Sequence, residues 1–246
     1  MSNEITKVES SKVEMVIRSA MEFPGVKIDR ATFLKNELSK YFSDGVVEEA
    51  IMSRPAQAGI NVKDIDKIAR ACIQYETMKV SAISAVAGIP GGFAMAATVP
   101  ADIAQLFAHI IRILQKLAYL YGWQEIISQE EGMDAGTSNQ LFLFMGAMCG
   151  VNAANATLSK VAILAAQNVP KQLIRQTLTK GTIYPIIKKT LKIIGIKMTK
   201  PLFAKGVGKF IPVIGAIASF GITFAVFKPM ANRLKKYLET LPTANR

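Results

Sequence analysis

Pro100-Ala-Asp-Ile-Ala-Gln-Leu-Phe-Ala-His-Ile-Ile-Arg-Ile-Leu-Gln-Lys-Leu-Ala-Tyr-Leu-Tyr-Gly122 decides the fold class. Apolar residues recur in it every three or four positions, which is the period of an α-helix. Proline in the first turn and glycine just past the end mark where such a helix starts and stops. Along it Asp102, Gln105, His109, Arg112 and Lys116 follow at spacings of three or four, a polar stripe on an otherwise apolar helix. Two readings of the stripe are open. A base and cations flanked by apolar surface can orient a ligand head group, with His109 as general base. Alternatively Asp102 favours the helix N-terminus through the dipole and the rest is a wetted face.

The same periodicity continues on both sides. Asn61 caps a preceding helix, with Asp64 in the reciprocal capping position and Ile65, Ile68, Cys72, Ile73 and Val80 on one face. Between these two helices the 22 residues Val80 to Ala101 carry no charge, long enough to raise the question of a membrane span. Gly88-Ile-Pro-Gly-Gly92 and Val99-Pro100 break the run, so it reads as two apolar helix ends joined by a tight turn. A second uncharged run, Ala135 to Ser159, reads as a buried helix in which Gly146 and Gly150 let another helix approach. A third, Phe210 to Phe227, closed by Lys209 and Lys228, would extend about 27 Å and is the best candidate for insertion. A central helix of a soluble bundle has the same pattern. A basic amphipathic ending with Arg233, Lys235 and Lys236 follows it. Residues 1–60 read as short amphipathic helices separated by Phe23-Pro-Gly25, Asp44-Gly45 and Arg54-Pro55, with Asp29 as a cap. The expected fold is all-α, a compact helical bundle whose apolar helices are broken by glycine and proline.

The 246 residues carry 30 Lys and Arg against 18 Asp and Glu, a net charge of +12. The excess is not shared along the chain. Met1 to Asp134 holds 14 bases and 17 acids, whereas Ala135 to Arg246 holds 16 bases and one acid, Glu239. Half the residues are apolar, which excludes disorder of the whole chain. The start of the chain lacks a positive leader followed by an apolar stretch, so secretion by that route is not expected. Cys72 and Cys149 stand far apart with no second cysteine near either, and with a single histidine the chain offers no metal site. Both are expected to be buried, reduced thiols, in keeping with a cytoplasmic location. Glu48-Glu49, Asp64/Asp66 and Glu130-Glu131 read as solvated surface, since paired acid/base work needs carboxylates in different environments across a cleft. No serine-hydrolase elbow, zincin helix or phosphate-loop motif is present, so an enzyme is not supported and no cofactor is expected.

Two stretches resemble a known family. Gly88-Ile-Pro-Gly-Gly92 followed by Val99-Pro-Ala-Asp102 and Leu117-Ala-Tyr-Leu-Tyr-Gly122 is similar to the central signature of EcsC-type bacterial proteins. Phe210-Ile-Pro-Val-Ile-Gly-Ala216, running on to a basic helix, resembles that family's terminal signature. The resemblance makes 61–246 an EcsC-like helical domain, with 1–60 unassigned. It implies a bacterial protein, cytoplasmic or on the inner face of the cell membrane, with an ABC transporter or another membrane protein as the partner to consider. It supplies no catalytic residues.

The basic region carries the sharpest physical signal. In Thr182 to Thr199, Ile183, Ile187, Leu191, Ile194 and Met198 align on one face, while Lys188, Lys189 and Lys192 crowd towards the other. That is the arrangement of a helix lying in a membrane interface. With Lys197, Lys200, Lys205 and Lys209 these bases would bind anionic lipid. Nucleic acid is disfavoured, because the bases alternate with Ile and Leu and few lie near an aromatic that could stack. The expectation is a non-enzymatic accessory protein of a membrane process, transport or envelope maintenance, docked peripherally on the inner face of the membrane. The rivals are a membrane-permeabilising protein that inserts Val80 to Ala101 and Phe210 to Phe227, and a binder or enzyme for a hydrophobic ligand in an apolar pocket edged by the Asp102 to Lys116 stripe.

Overall fold

Asp29 accepts a hydrogen bond from the Thr32 backbone N–H at 2.7 Å and so caps the helix Arg30–Leu38 in the computed structural model. The structure describes residues 17–87, 101–128, 134–194 and 212–245. In chain order the helices are α1 (Arg30–Leu38), α2 (Asp44–Met52), α3 (Val62–Ala87), α4 (Ala101–Leu120), α5 (Ala135–Cys149), α6 (Asn152–Ala166), α7 (Lys171–Thr177), α8 (Lys180–Ile194) and α9 (Pro212–Leu238). A short 3-10 turn, Pro242–Ala244, follows α9. There is no strand among the described residues, and the fold is all-α.

The helix boundaries follow from local chemistry. The Asn61 side chain accepts from the Lys63 N–H at 2.8 Å and starts α3. Asp64 does not close a reciprocal box; its carboxylate takes the Lys67 ammonium at 2.9 Å instead. At the end of α4, Gly122 adopts φ 84°, and the Trp123 N–H reaches the Ala118 carbonyl at 3.0 Å, the left-handed ending expected from its sequence. The breaks expected in the uncharged run, Gly88 to Gly92 and Val99-Pro100, lie outside the described residues, which resume at Ala101 in α4.

Three boundaries differ from the sequence reading. Asp44-Gly45 does not separate helices but opens α2, because extended Ser43 precedes it and Asp44 sits favourably in the first turn. Ala135 to Ser159 is not one helix. Gly150 takes φ 78°, the Val151 N–H turns back to the Gly146 carbonyl at 2.9 Å, and α6 sets off in a new direction. The apolar run before Phe227 and the basic ending after it are a single helix, α9, continuous through Pro229. No helix of the described residues is long and apolar enough to cross a membrane.

Packing joins these elements around one hydrophobic core, which runs from Ile17 through Leu34 and Val47 to Leu241. Residues on both sides of Asn61 therefore share a single interior. α9 lies chiefly along α3 and also touches α4 and α5, burying Phe227, Leu234 and Leu238. Each such side chain stabilises the fold by about 1.5–3 kcal/mol. Trp123 stands edge-on to Phe144 at 4.9 Å and joins the end of α4 to α5. Both cysteines are buried, and neither forms a disulfide.

Of the two glycines read as a close-approach face, only Gly146 acts in that way. A Cβ at Gly146 would lie 2.7 Å from Ala154 Cβ and 3.0 Å from both Ile186 and Thr190, so α6 and α8 meet α5 there. Gly45, in α2, has nothing within 4 Å. Gly146→Ala is expected to lower stability by about 1–3 kcal/mol through overpacking. Gly45→Ala should raise it by about 0.4–1 kcal/mol by restricting the unfolded chain. Urea denaturation of both variants checks the pair, and shifts of the same sign would contradict the packing described.

Candidate functional site

The side of α4 that carries the polar stripe faces α3. There it meets Glu76, which is 0% exposed. Glu76 reaches that position because it continues the apolar series Ile65, Ile68, Cys72, Ile73 at helical spacing, an acid on the buried face of an amphipathic helix. One carboxylate oxygen accepts from His109 Nδ1 at 3.0 Å. The other accepts from Lys116 Nζ at 2.7 Å and from Arg112 at 3.3 and 3.4 Å. The second edge of Arg112 donates to the Gly25 carbonyl. The Lys116 ammonium also stands over the rings of Tyr75 and Phe33, at 5.5 and 5.8 Å.

One turn along, Gln115 extends the same fastening. Its amide donates to the Val26 and Ile111 carbonyls at 2.7 and 2.9 Å, and its oxygen accepts from the Ile28 N–H at 3.2 Å. The stripe thus ties α4 to α3 on one side and to residues 25–28 on the other. The reading of a wetted face is corrected, because His109 and Lys116 are 6% and 8% exposed. Of the five stripe residues the structure brings three onto Glu76. Gln105 is half-buried, and the Asp102 side chain lies outside the described residues.

Burial alone would push the Glu76 carboxyl up. The His109 hydrogen bond, the Lys116 ammonium and the Arg112 guanidinium outweigh it and hold the group down at about 2, from an ordinary 4.5. Such a carboxylate is a weak base, and both of its oxygens are already taken. Its chemistry is that of an ionic clasp with its donors satisfied internally. Cys72, on the same helix, is pushed up to about 12 by burial and is a protonated thiol at neutral pH.

No protein-family model, curated protein or solved structure matches the chain.

The second candidate surface is the basic region. On α8, Ile183, Ile186, Thr190 and Ile194 are buried, and the helix packs mainly on α5. Lys188, Lys189 and Lys192 are exposed on its outer side. Tyr184, 51% exposed, precedes Lys188 and Lys192 on one stripe at four-residue spacing. The reading of α8 as a helix with its apolar face in lipid is corrected, since that face is occupied by protein. The rest of that expected helix, with Lys197, Lys200, Lys205 and Lys209, lies outside the described residues.

Elsewhere the C-terminal excess of bases is partly neutralised within the molecule. Buried Lys235 pairs with Asp66 of α3, which also takes Arg70 at 2.5 Å. Burial pushes the Asp66 carboxyl up, but Lys235 and Arg70 hold it below the usual range. Arg175 reaches Asp134 at 3.4 Å, and Arg233 packs against Gly150 and donates to the Met148 carbonyl at 3.2 Å. The expected basic ending therefore keeps two exposed bases, Arg233 and Lys236, while Lys235 is buried in its ion pair.

Because the folded state prefers ionised Glu76, its contribution is complete above the unfolded value of 4.5 and is lost as pH falls through about 2. Glu76→Gln keeps the shape but leaves buried Lys116 and half-buried Arg112 without a counter-charge, at an expected cost of about 3–5 kcal/mol near neutral pH. The difference between variant and parent should shrink below about pH 3. Urea denaturation at the two pH values measures it, and a loss under about 1 kcal/mol at neutral pH would contradict a buried clasp.

Proposed function

We propose that the protein is a non-enzymatic accessory factor that docks on an anionic membrane surface through the outer face of α8. The carrying observation is that Lys188, Lys189 and Lys192 project to solvent from a helix whose other face is anchored in the core. No acidic residue occurs between Asp134 and Glu239 to offset them. Charges held on a packed helix need no folding step on binding, so their attraction for lipid is not spent on ordering the helix. Each base near an anionic surface contributes about 1 kcal/mol, and the attraction falls away with salt. Tyr184, at the start of the stripe, is of the type that settles at headgroup level.

The contact is electrostatic and peripheral, because α8 has no free apolar face to insert. Placement on the cytoplasmic side of a bacterial membrane, a role in transport or envelope maintenance, and an ABC transporter or other membrane protein as direct partner rest on the likeness to EcsC-type proteins.

Sedimentation with phosphatidylglycerol vesicles at low salt tests the docking face. Lys188→Glu, Lys189→Glu and Lys192→Glu together should reduce partitioning by on the order of a hundredfold. The matched control, Lys35→Glu, Lys63→Glu and Lys67→Glu, changes net charge equally from exposed positions on α1 and α3 and should reduce it far less. Equal losses would show a response to net charge alone and would remove α8 as the docking face.

A further inference from the structure

Among the described residues the most exposed large apolar side chain is Met52, at 78%. It closes α2, where Asp44, Glu48 and Met52 follow at four-residue spacing and form one exposed row. Glu49 lies exposed beside that row. α2 has no base of its own, and among the described residues no cation pairs with Asp44, Glu48 or Glu49. An acidic face is ordinarily satisfied by water, but this one has a counterpart on α8.

Tyr184, Lys188 and Lys192 form an exposed row of the same spacing on α8, with Lys189 beside it, and no anion among the described residues pairs with these lysines. Each row extends about 12 Å at the rise of an α-helix. Set antiparallel, the two rows match position by position: Met52 meets Tyr184, Glu48 meets Lys188 and Asp44 meets Lys192, with Glu49 and Lys189 flanking the middle. Set parallel, they fail at both ends, since Met52 would cover Lys192 and Asp44 would face Tyr184. Within one molecule α2 packs chiefly on α1 and α8 chiefly on α5, so neither row covers the other.

We infer that the α2 row of one copy docks antiparallel on the α8 row of a second copy. The occupant follows from the match of charge and apolar position, and from the division of sign along the chain. Acids outnumber bases up to Asp134, and after it Glu239 is the one acid against 16 bases. Two molecules at +12 repel each other, and a contact that sets an acidic face on a basic one offsets that repulsion. Each copy keeps one free α2 row or α8 row after pairing, so the contact is head-to-tail, and the assembly lengthens with concentration unless the rotation closes a ring. One helix face from each copy falls short of the roughly 1,200 Å² of a stable interface, so association is weak and reversible. The contact does not rest on the membrane reading, but it uses the same lysines, so an α8 held by a neighbour is withheld from lipid.

Sedimentation velocity of the full chain tests the contact. At about 0.05 M salt the weight-average sedimentation coefficient of the parent should rise with protein concentration, and at about 0.5 M salt the rise should disappear. Glu48→Lys with Glu49→Lys, and separately Lys188→Glu with Lys189→Glu, should each weaken association by on the order of a hundredfold, because like charges then face each other. Mixing the two variants in equal amounts restores opposite charge at every contact, and association should return. Met52→Ser should weaken it several-fold with charge unchanged. All these positions are exposed, so the variants keep the fold, which circular dichroism checks. Glu48→Lys with Glu49→Lys should still sediment with phosphatidylglycerol vesicles, which separates failure of this contact from failure of lipid docking. A parent that stays monomeric at low salt, a loss in only one of the two reversals, or a mixture that fails to associate would overturn the inference.

Discussion

A single carboxylate, Glu76, fixes how α3, α4 and the segment before α1 sit on one another. Removing an ionised carboxyl from water is unfavourable by several kcal/mol even after relaxation, so it persists in the core only where good donors surround it. Here the donors come from three successive turns of α4: His109, Arg112 and Lys116. Arg112 carries the connection on to the Gly25 carbonyl, and Gln115 repeats it at Val26 and Ile28. An apolar contact alone would let α4 slide or rotate against α3. The ion cluster specifies one register, and the bases that satisfy it are thereby withdrawn from service as a ligand site.

The same economy of charge governs the other half of the molecule. Asp66 lies ten residues before Glu76 on α3 and receives Lys235 from α9, so the contact between these two helices carries its own internal ion pair. Arg175 and Arg233 are likewise engaged, with Asp134 and with the end of α5. Among the described bases after Asp134, Lys188, Lys189 and Lys192 form a compact exposed group on α8. This narrows the membrane proposal from an inserted amphipathic helix to an electrostatic contact, salt-sensitive and reversible.

Helix class and several boundaries were legible because their signals are local. Asp29, Asn61 and Gly122 act through neighbours within a few residues. Gly150 was not legible, because a glycine inside an apolar run reads equally as close packing or as a left-handed ending. The amphipathic pattern of α8 has the same form whether its apolar side meets lipid or α5, so the sequence left that choice open. The stripe on α4 was visible, but its partner was not, since a pairing between positions 33 to 40 residues apart leaves no spacing signal. One clue was present: Glu76 interrupts the apolar face of α3, where a charge requires a counter-charge.

The clasp is tested most directly by a double-mutant cycle between Glu76 and Lys116. If the two form a buried, mutually dependent pair, Glu76→Gln and Lys116→Met will each be strongly destabilising, and the double variant will lose much less than the sum of the two. A coupling above about 2 kcal/mol in urea denaturation is the expected result. Additive losses, with coupling below about 0.5 kcal/mol, would show that α3 and α4 are held by apolar packing alone and would contradict the central role given to Glu76.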